Sequence, residues 1–298
     1  MNFGEIASTM AGPVRPVSAT MRPMTGPDQA VAAPALPLRP FVSHYAGSRM
    51  NDAPQCEHAG LPSRHIDLIV SLARPIEITR MPGAQSPGAY GAFVAGLQLS
   101  PAVVRMGGAV DCLHVFMKPS AARALLGINS GEVASRVVHL ADINGPMCDE
   151  LVGRLIDTYS WRERFAAVDR VLLQRLRPVT PSRTMASAWR SLAVSQGRVR
   201  VHELAHDSGF GRRHFAECFT REFGIAPKAA ARIFRFERAC RLFLRFPHRI
   251  VDVAVACGFH DQPHMVREWH ALAGCTPREW IAGELPFLQD YEIGGGHD

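Results

Sequence analysis

The hydrophobic positions along this chain change period twice. Over residues 36–139 they fall in short runs bounded by Pro, Gly and Ser. The segment His65-Ile66-Asp67-Leu68-Ile69-Val70-Ser71-Leu72 partly alternates and is rich in strand formers; similar runs follow at 76–81, 92–99, 102–106 and 112–117. Pro82-Gly83, Ser86-Pro87-Gly88 and Gly107-Gly108 punctuate them. Period-two runs at this spacing predict an antiparallel sheet or small barrel. Pro119 to Leu126 reads as a short helix, with proline near its start and Gly127 just past its end. Over 145–177 the period lengthens. Met147, Leu151, Leu155 and Thr158/Tyr159, then Phe165, Val168, Leu172 and Leu176, fall three or four apart. That spacing predicts two amphipathic helices, either packed on the sheet or forming a dimer seam. Arg177-Pro178-Val179-Thr180-Pro181-Ser182 then breaks the pattern and marks a linker.

Beyond the linker one pattern is stated twice. The first copy is VHELAHDSGFGRRHFAECFTREFGIAP over 201–227; the second is IVDVAVACGFHDQPHMVREWHALAGCTP over 250–277. Each has a short apolar helix with an alanine (Ala205, Ala254), then a Gly-Phe turn (Gly209-Phe210, Gly258-Phe259). A second helix follows, anchored by one large aromatic (Phe219, Trp269) and stopped by glycine (Gly224, Gly274). Phe215, Phe219 and Phe223 make the buried stripe of the first such helix, Met265 and Trp269 that of the second. This is the layout of two helix-turn-helix units, a motif whose second helix enters the DNA major groove. Between them, 228–246 carries Ile233, Phe236, Ala239, Cys240, Leu242 and Phe243 on one face and predicts a long helix of roughly 28 Å at ~1.5 Å per residue. Such a strut suits two recognition helices entering successive major grooves, ~34 Å apart on one face of the duplex.

Charge supports the same partner. The chain of 298 residues has 33 Lys+Arg and 27 Asp+Glu, a formal excess of +6. Residues 183–284 hold 16 of the cations and 10 of the acids, and the remainder holds 17 of each, so the whole excess lies in the segment with the doubled pattern. A basic domain gains free energy near a polyanion by releasing condensed counterions. Only Lys118 and Lys228 are lysine; the other cations are arginine, which suits bidentate contacts to phosphate and guanine. No run approaches the ~18 apolar residues of a membrane span, which speaks against a membrane partner. The first 35 residues lack the ~7–15-residue apolar core of a signal peptide and read as a disordered leader, giving a cytoplasmic location by default. The 7 cysteines are scattered, form no C-x-x-C pair and read as reduced, mostly buried thiols. The organisation that follows is α+β. A leader (1–35) precedes a β-rich sensor or oligomerisation domain ending in helices (36–177). A linker (178–183), a double helix-turn-helix domain (184–284) and a frayed tail (285–298) complete the chain.

The N-terminal part of a recognition helix meets base edges, which selects Arg213, Ala216 and Glu217 in the first unit, with Arg212 on phosphate. Glu217 suits a cytosine amino group, or alternatively an i,i+4 pair with Arg213 or Arg221. In the second unit Asp261 is placed to cap and Pro263 sits in the first turn. His260, Gln262, His264 and Arg267 are left to meet DNA, Gln suiting adenine and Arg guanine or phosphate.

On these residues the segment 184–282 resembles the DNA-binding domain of the AraC/XylS family of bacterial transcription regulators. The carriers are Leu204-Ala205, Gly209-Phe210, Phe219 with Gly224, Arg238-Ala239, Val253-Ala254, Gly258-Phe259 and the closing Gly274-x-Thr276-Pro277. Gly211 departs from the family's usual Ser cap, and Pro263, Met265 and Trp269 stand where aromatic, Phe and Phe are commoner. Asp67-Leu68-Ile69 and the stretch from Val115 through Pro119 to Gly127 more faintly resemble a sensor-like N-terminal domain of some members. The resemblance implies a transcription regulator, an activator in type, that binds double-stranded DNA. RNA polymerase, a small-molecule effector and a second copy of the chain are candidate partners, and no cofactor is implied. Arg64, Asp67, His114 and Arg123 are polar residues near strand ends, better explained by structure than by ligand contact.

One motif points elsewhere. His202-Glu203-Leu204-Ala205-His206 is a literal H-E-x-x-H, which on a helix can hold Zn²⁺ with the Glu as general base of a metallopeptidase. A third protein ligand at the extended spacing would be Arg212, whose charge opposes a metal, so the reading assigns no metal site and no enzyme. A third reading is a non-DNA interaction protein reusing the fold.

Overall fold

The alternating runs assemble into one antiparallel sheet in a computed structural model that describes residues 28–178, 182–245 and 249–283. The strands are β1 (Gln29–Ala32), β2 (Val42–Gly60), β3 (Ile66–Ser71), β4 (Ile76–Arg80), β5 (Gly88–Tyr90), β6 (Ala92–Ala95), β7 (Ala102–Met117) and β8 (Val137–His139). Their order is β1-β2-β7-β3-β6-β8, with β4 pairing β7 and β5. The sheet forks at β7. Residues 112–117 of that strand carry β3, residues 103–105 carry β4, and β2 runs along both parts.

Three expectations need correction. Gly107-Gly108 does not separate two strands but lies inside β7, with φ of 151° and 65°, opposite register shifts in β2 between Met50 and Cys56. The glycines let the ribbon bend without ending. The strand β2 escaped the sequence pattern because its polar residues break the alternation; its pairing with β7 makes it a strand. The sheet also begins inside the segment read as leader, since Gln29–Ala32 pairs with 45–48. Residues 1–27 of that leader, 179–181 of the linker and 284–298 at the tail lie outside the described residues.

One sheet face, with Tyr45, Ile66, Leu68, Val70, Leu113, Val115 and Met117, is buried. It shares a core with α2 (Leu140–Ile156) and α3 (Trp161–Arg175), after the short α1 (Ser130–Val133). Met147, Leu151, Leu155, Phe165, Val168 and Leu172 point inward as their spacing requires, but Thr158 and Tyr159, placed in the same series, lie past the end of α2 at Ile156, with Tyr159 exposed. Asn144 breaks the helical backbone of α2 and accepts from the Met147 N–H (3.1 Å), so the regular helix starts beyond it with Pro146 in its first turn. The expected helix at 119–126 is a short π-type turn, Ala122–Leu126, closed by Gly127. Arg164 on α3 is 2% exposed; it donates to both oxygens of Asp111 on β7 (2.6 and 3.1 Å) and to the Thr158 carbonyl (2.6 Å). A charge this deep is tolerable only when paired in this way.

The C-terminal part is all helix: α4 (Arg183–Ser195), α5 (Val201–Asp207), α6 (Arg212–Phe223), α7 (Pro227–Arg245), α8 (Ile250–Ala256), α9 (Gln262–Ala273) and α10 (Pro277–Gly283). The long helix α7 serves two cores. Ala230, Ile233 and Phe234 join Leu204, Ala205, Phe215, Phe219 and Phe223 around Trp189. Phe236, Ala239 and Phe243 join Val253, Ala254, Met265, Trp269 and Trp280. The two domains touch at several places. Arg64 donates from its backbone N–H (2.6 Å) and its guanidinium to Glu237 on α7, and stacks on Phe234. Arg123 pairs with Glu222 (3.2 Å), the Ser130 hydroxyl donates to the Glu222 carbonyl (2.6 Å), and Leu61 and Leu99 pack on the second helical core. Of the 7 cysteines only Cys112 and Cys257 are buried; the others are half-buried, contrary to the expectation.

Candidate nucleic-acid interface

Each unit is built by the same local rules. In the first, α5 ends in a turn at Gly209 (φ 71°), and the Phe210 N–H returns to the Ala205 carbonyl (3.1 Å). The helix α6 starts after Gly211, which is extended and offers no side-chain cap. Phe215, Phe219 and Phe223 face the core, which turns Arg212, Arg213 and Glu217 outward. Arg213 is 94% exposed, and its Nε lies 2.9 Å from Glu217 Oε1. The i,i+4 pair is therefore the arrangement that forms, with Ala216 half-buried beside it.

In the second unit the Asp261 carboxylate caps α9, accepting from the His264 N–H (2.6 Å), while its other oxygen lies 2.9 Å from His260 Nδ1. The bond to His260 and then the bond from the His264 backbone hold the Asp261 carboxyl below its ordinary range. Pro263 occupies the first turn. His264 is only half-buried, lies edge-on to Phe259 and stands 3.8 Å from Glu268. His260 and His264 are thus engaged in closing the helix start, whereas Arg267 is exposed and Gln262 half-buried at the first position of α9.

A brace that periodicity does not reveal fixes the second recognition helix to the strut. Glu268 on α9 accepts from Arg232 (2.9 Å) and lies 3.7 Å from Arg235, both on α7. Arg235 also donates to the Gly197 carbonyl (2.9 Å) in the α4–α5 connection. The three side chains are 17–25% exposed, so the network is shielded from much of the screening that weakens surface pairs. Its one sequence signal was the i,i+3 spacing of the two arginines on a helix.

The H-E-x-x-H residues lie on the outer side of α5. His202, Glu203 and His206 are exposed, Glu203 accepts from the Arg200 N–H (3.1 Å), and His206 lies 3.5 Å from Asp207. Among the described residues no group of three or more His, Cys, Asp or Glu is arranged to hold a metal ion.

Residues 204–283 match the family model of a helix-turn-helix domain, and residues 30–139 match that of a domain of unknown function (DUF6597). The virulence regulon transcriptional activator VirF of Yersinia enterocolitica is 31% identical over 80 residues, covering 27% of this chain and 30% of VirF. The C-terminal segment 204–283 is thus a helix-turn-helix domain. The regulator ExsA of Pseudomonas aeruginosa is 30% identical over 78 residues (26% of this chain, 28% of ExsA). The regulator ArgR of the same organism is 25% identical over 141 residues (47% of this chain, 41% of ArgR). The likeness to these relatives thus spans less than half of each. Among solved structures, ToxT from Vibrio cholerae O395 is 12% identical, over 80% of this chain and 96% of ToxT, with a TM-score of 0.48. No helix among the described residues is long and apolar enough to cross a membrane.

Proposed function

We propose that this chain is a sequence-specific DNA-binding transcription regulator in which α6 and α9 enter successive major grooves of one duplex. The observation that carries the reading is the shared strut: one helix of 19 residues, α7, supplies the cores of both units. At ~1.5 Å per residue it spans roughly 28 Å, close to the ~34 Å repeat of one duplex face. Arg213 and Arg267 read bases, Gln262 and Ala216 line the groove, and Arg212 sits on phosphate. Glu217 holds Arg213 in place through the 2.9 Å pair. His260 and His264 shape the start of α9 through Asp261. VirF is described as a transcriptional activator, and the same role is proposed for this chain, with RNA polymerase as partner. The N-terminal domain modulates the pair of units, since it touches the strut through Arg64–Glu237 and the first unit through Arg123–Glu222. A cytoplasmic location belongs to the same reading. Selection of bound duplexes from a random pool tests it. The expected result is a bipartite site with half-sites about one helical turn apart; recovery of no preferred sequence would overturn it.

A further inference from the structure

A shallow cleft of about 280 Å³ opens beside the second recognition helix. It is lined by Arg249, Ile250, Val251 and Asp252 at the start of α8, Arg278 on α10, and Gln262 at the first position of α9. We propose that this cleft is a phosphodiester-binding site that seats the DNA backbone next to α9. The proposal rests on the DNA-binding reading and extends it to residues that neither the helix pattern nor the relatives assign.

Three observations carry it. First, Arg278 is exposed and has no ion-pair partner among the described residues. Arg249 pairs with Asp252, at 3.6 Å, with both side chains 68% exposed. Such a pair is weak, and a doubly contacted phosphate competes with it. Second, Gln262 lines the same cleft, so an anion there lies against the end of α9 that approaches the bases. Third, the other unit repeats the arrangement. Arg200 directly precedes α5 as Arg249 precedes α8, and Lys228 follows Pro227 as Arg278 follows Pro277. Arg212 opens α6 where Gln262 opens α9, and Arg200, Lys228 and Arg212 are all exposed. Two cations beside each recognition helix give the protein a pair of backbone anchors, one per groove.

The test is titration of the full chain with a duplex carrying the selected site and with a scrambled duplex, at several salt concentrations. Each lost phosphate contact flattens the slope of log affinity against log salt by about 0.9, which is about an eightfold weakening at ~0.1 M salt. Arg278→Ala is expected to show this loss on both duplexes, and Arg249→Ala/Arg278→Ala about twice the change in slope. Arg200→Ala/Lys228→Ala should match that double variant, and Asp252→Asn should bind both duplexes more tightly. A double variant with the native slope, or one weakened only on the selected site, overturns the proposal. Inorganic phosphate, matched to chloride in ionic strength, is expected to displace duplex no better than chloride. Displacement that disappears in the double variant would make the cleft a free-phosphate site instead. A native protein with no salt-dependent duplex binding removes the regulator reading itself, whereas native binding with unchanged variants removes only the cleft.

Discussion

At the scale of single residues, Arg213 and Arg267 stand exposed on α6 and α9 while the large apolar side chains of the same helices are sealed in the two cores. Phe215, Phe219, Phe223, Met265 and Trp269 were legible because burial imposes the helical period directly on the chain. The Asp261 cap was legible because the residue precedes a proline in a first turn. Arg232, Arg235 and Glu268 were not, because their pairing depends on the crossing of α7 and α9, which leaves no local trace. Arg213→Ala and Arg267→Ala are each expected to cost about 1–3 kcal/mol on the selected site and far less on a scrambled duplex, measured by titration. Equal losses on both duplexes would move either residue to the backbone. Arg213 carries a further consequence, since its removal leaves the Glu217 carboxylate facing the polyanion alone. Glu217→Gln placed on top of Arg213→Ala should therefore recover part of the loss, and no recovery would show that Glu217 stands away from the duplex.

Elements extend the argument to packing. The recognition helices end alike, at Gly224 and Gly274, each with φ of 74°, a conformation that disfavours any side chain. Their surroundings differ. A Cβ at Gly224 would fall 2.3 Å from the Ala134 Cβ and 2.7 Å from the Gly131 Cα, where the N-terminal domain presses on α6. A Cβ at Gly274 would meet Pro101 at 3.4 Å, an ordinary contact. Gly274→Ala is therefore expected to cost only the left-handed backbone, about 1 kcal/mol, and Gly224→Ala at least about 2–3 kcal/mol because the clash adds to it. Urea midpoints of the two variants check the order, and a smaller loss at Gly224 would mean that the contact between α1 and α6 is not maintained in solution. The brace is tested in the same way. A double-mutant cycle on Arg232→Ala and Glu268→Ala should give a coupling of about 1–2 kcal/mol, and a coupling near zero would leave α9 held by its apolar face alone. The elements most hidden from the sequence were strands. Nothing in 42–60 alternates cleanly, and it is pairing with the long β7, and with β1 at 45–48, that makes β2 a strand.

For the whole molecule, the meeting of the domains is what a sequence cannot display, since Glu237 lies 173 residues beyond Arg64 and meets it and the neighbouring Asp67 only in the fold. Asp67 Oδ1 is sealed from solvent with no hydrogen-bond partner among the described residues. Burial, and then the Glu237 carboxylate, push its carboxyl from the ordinary 3.8 up to about 8. Between those values the folded protein keeps a proton that the unfolded chain has released, so folding stability falls as pH rises and levels off above about 8. The half-buried His65 and His114 act with the opposite sign. Burial lowers both, His114 to about 4, so the unfolded chain binds protons that the native state refuses, and stability falls as pH drops below the ordinary histidine value of 6.5. The opposing contributions overlap in acid, but from pH 6.5 to about 8 the Asp67 contribution acts without them. Over that window the urea midpoint of the native chain is expected to decline, with a slope of at most about 1.4 kcal/mol per pH unit. Asp67→Asn, which cannot ionise, should stay flat there and be the more stable protein at pH 8. Parallel declines in the two proteins would mean that Asp67 titrates as an ordinary surface carboxylate and that the sheet and the strut do not enclose it. Because the ionised carboxylate would stand beside Glu237, which anchors Arg64, the same rise in pH loosens the contact through which the N-terminal domain holds α7. Protease cleavage in the linker should therefore accelerate over this window in the native chain and not in Asp67→Asn.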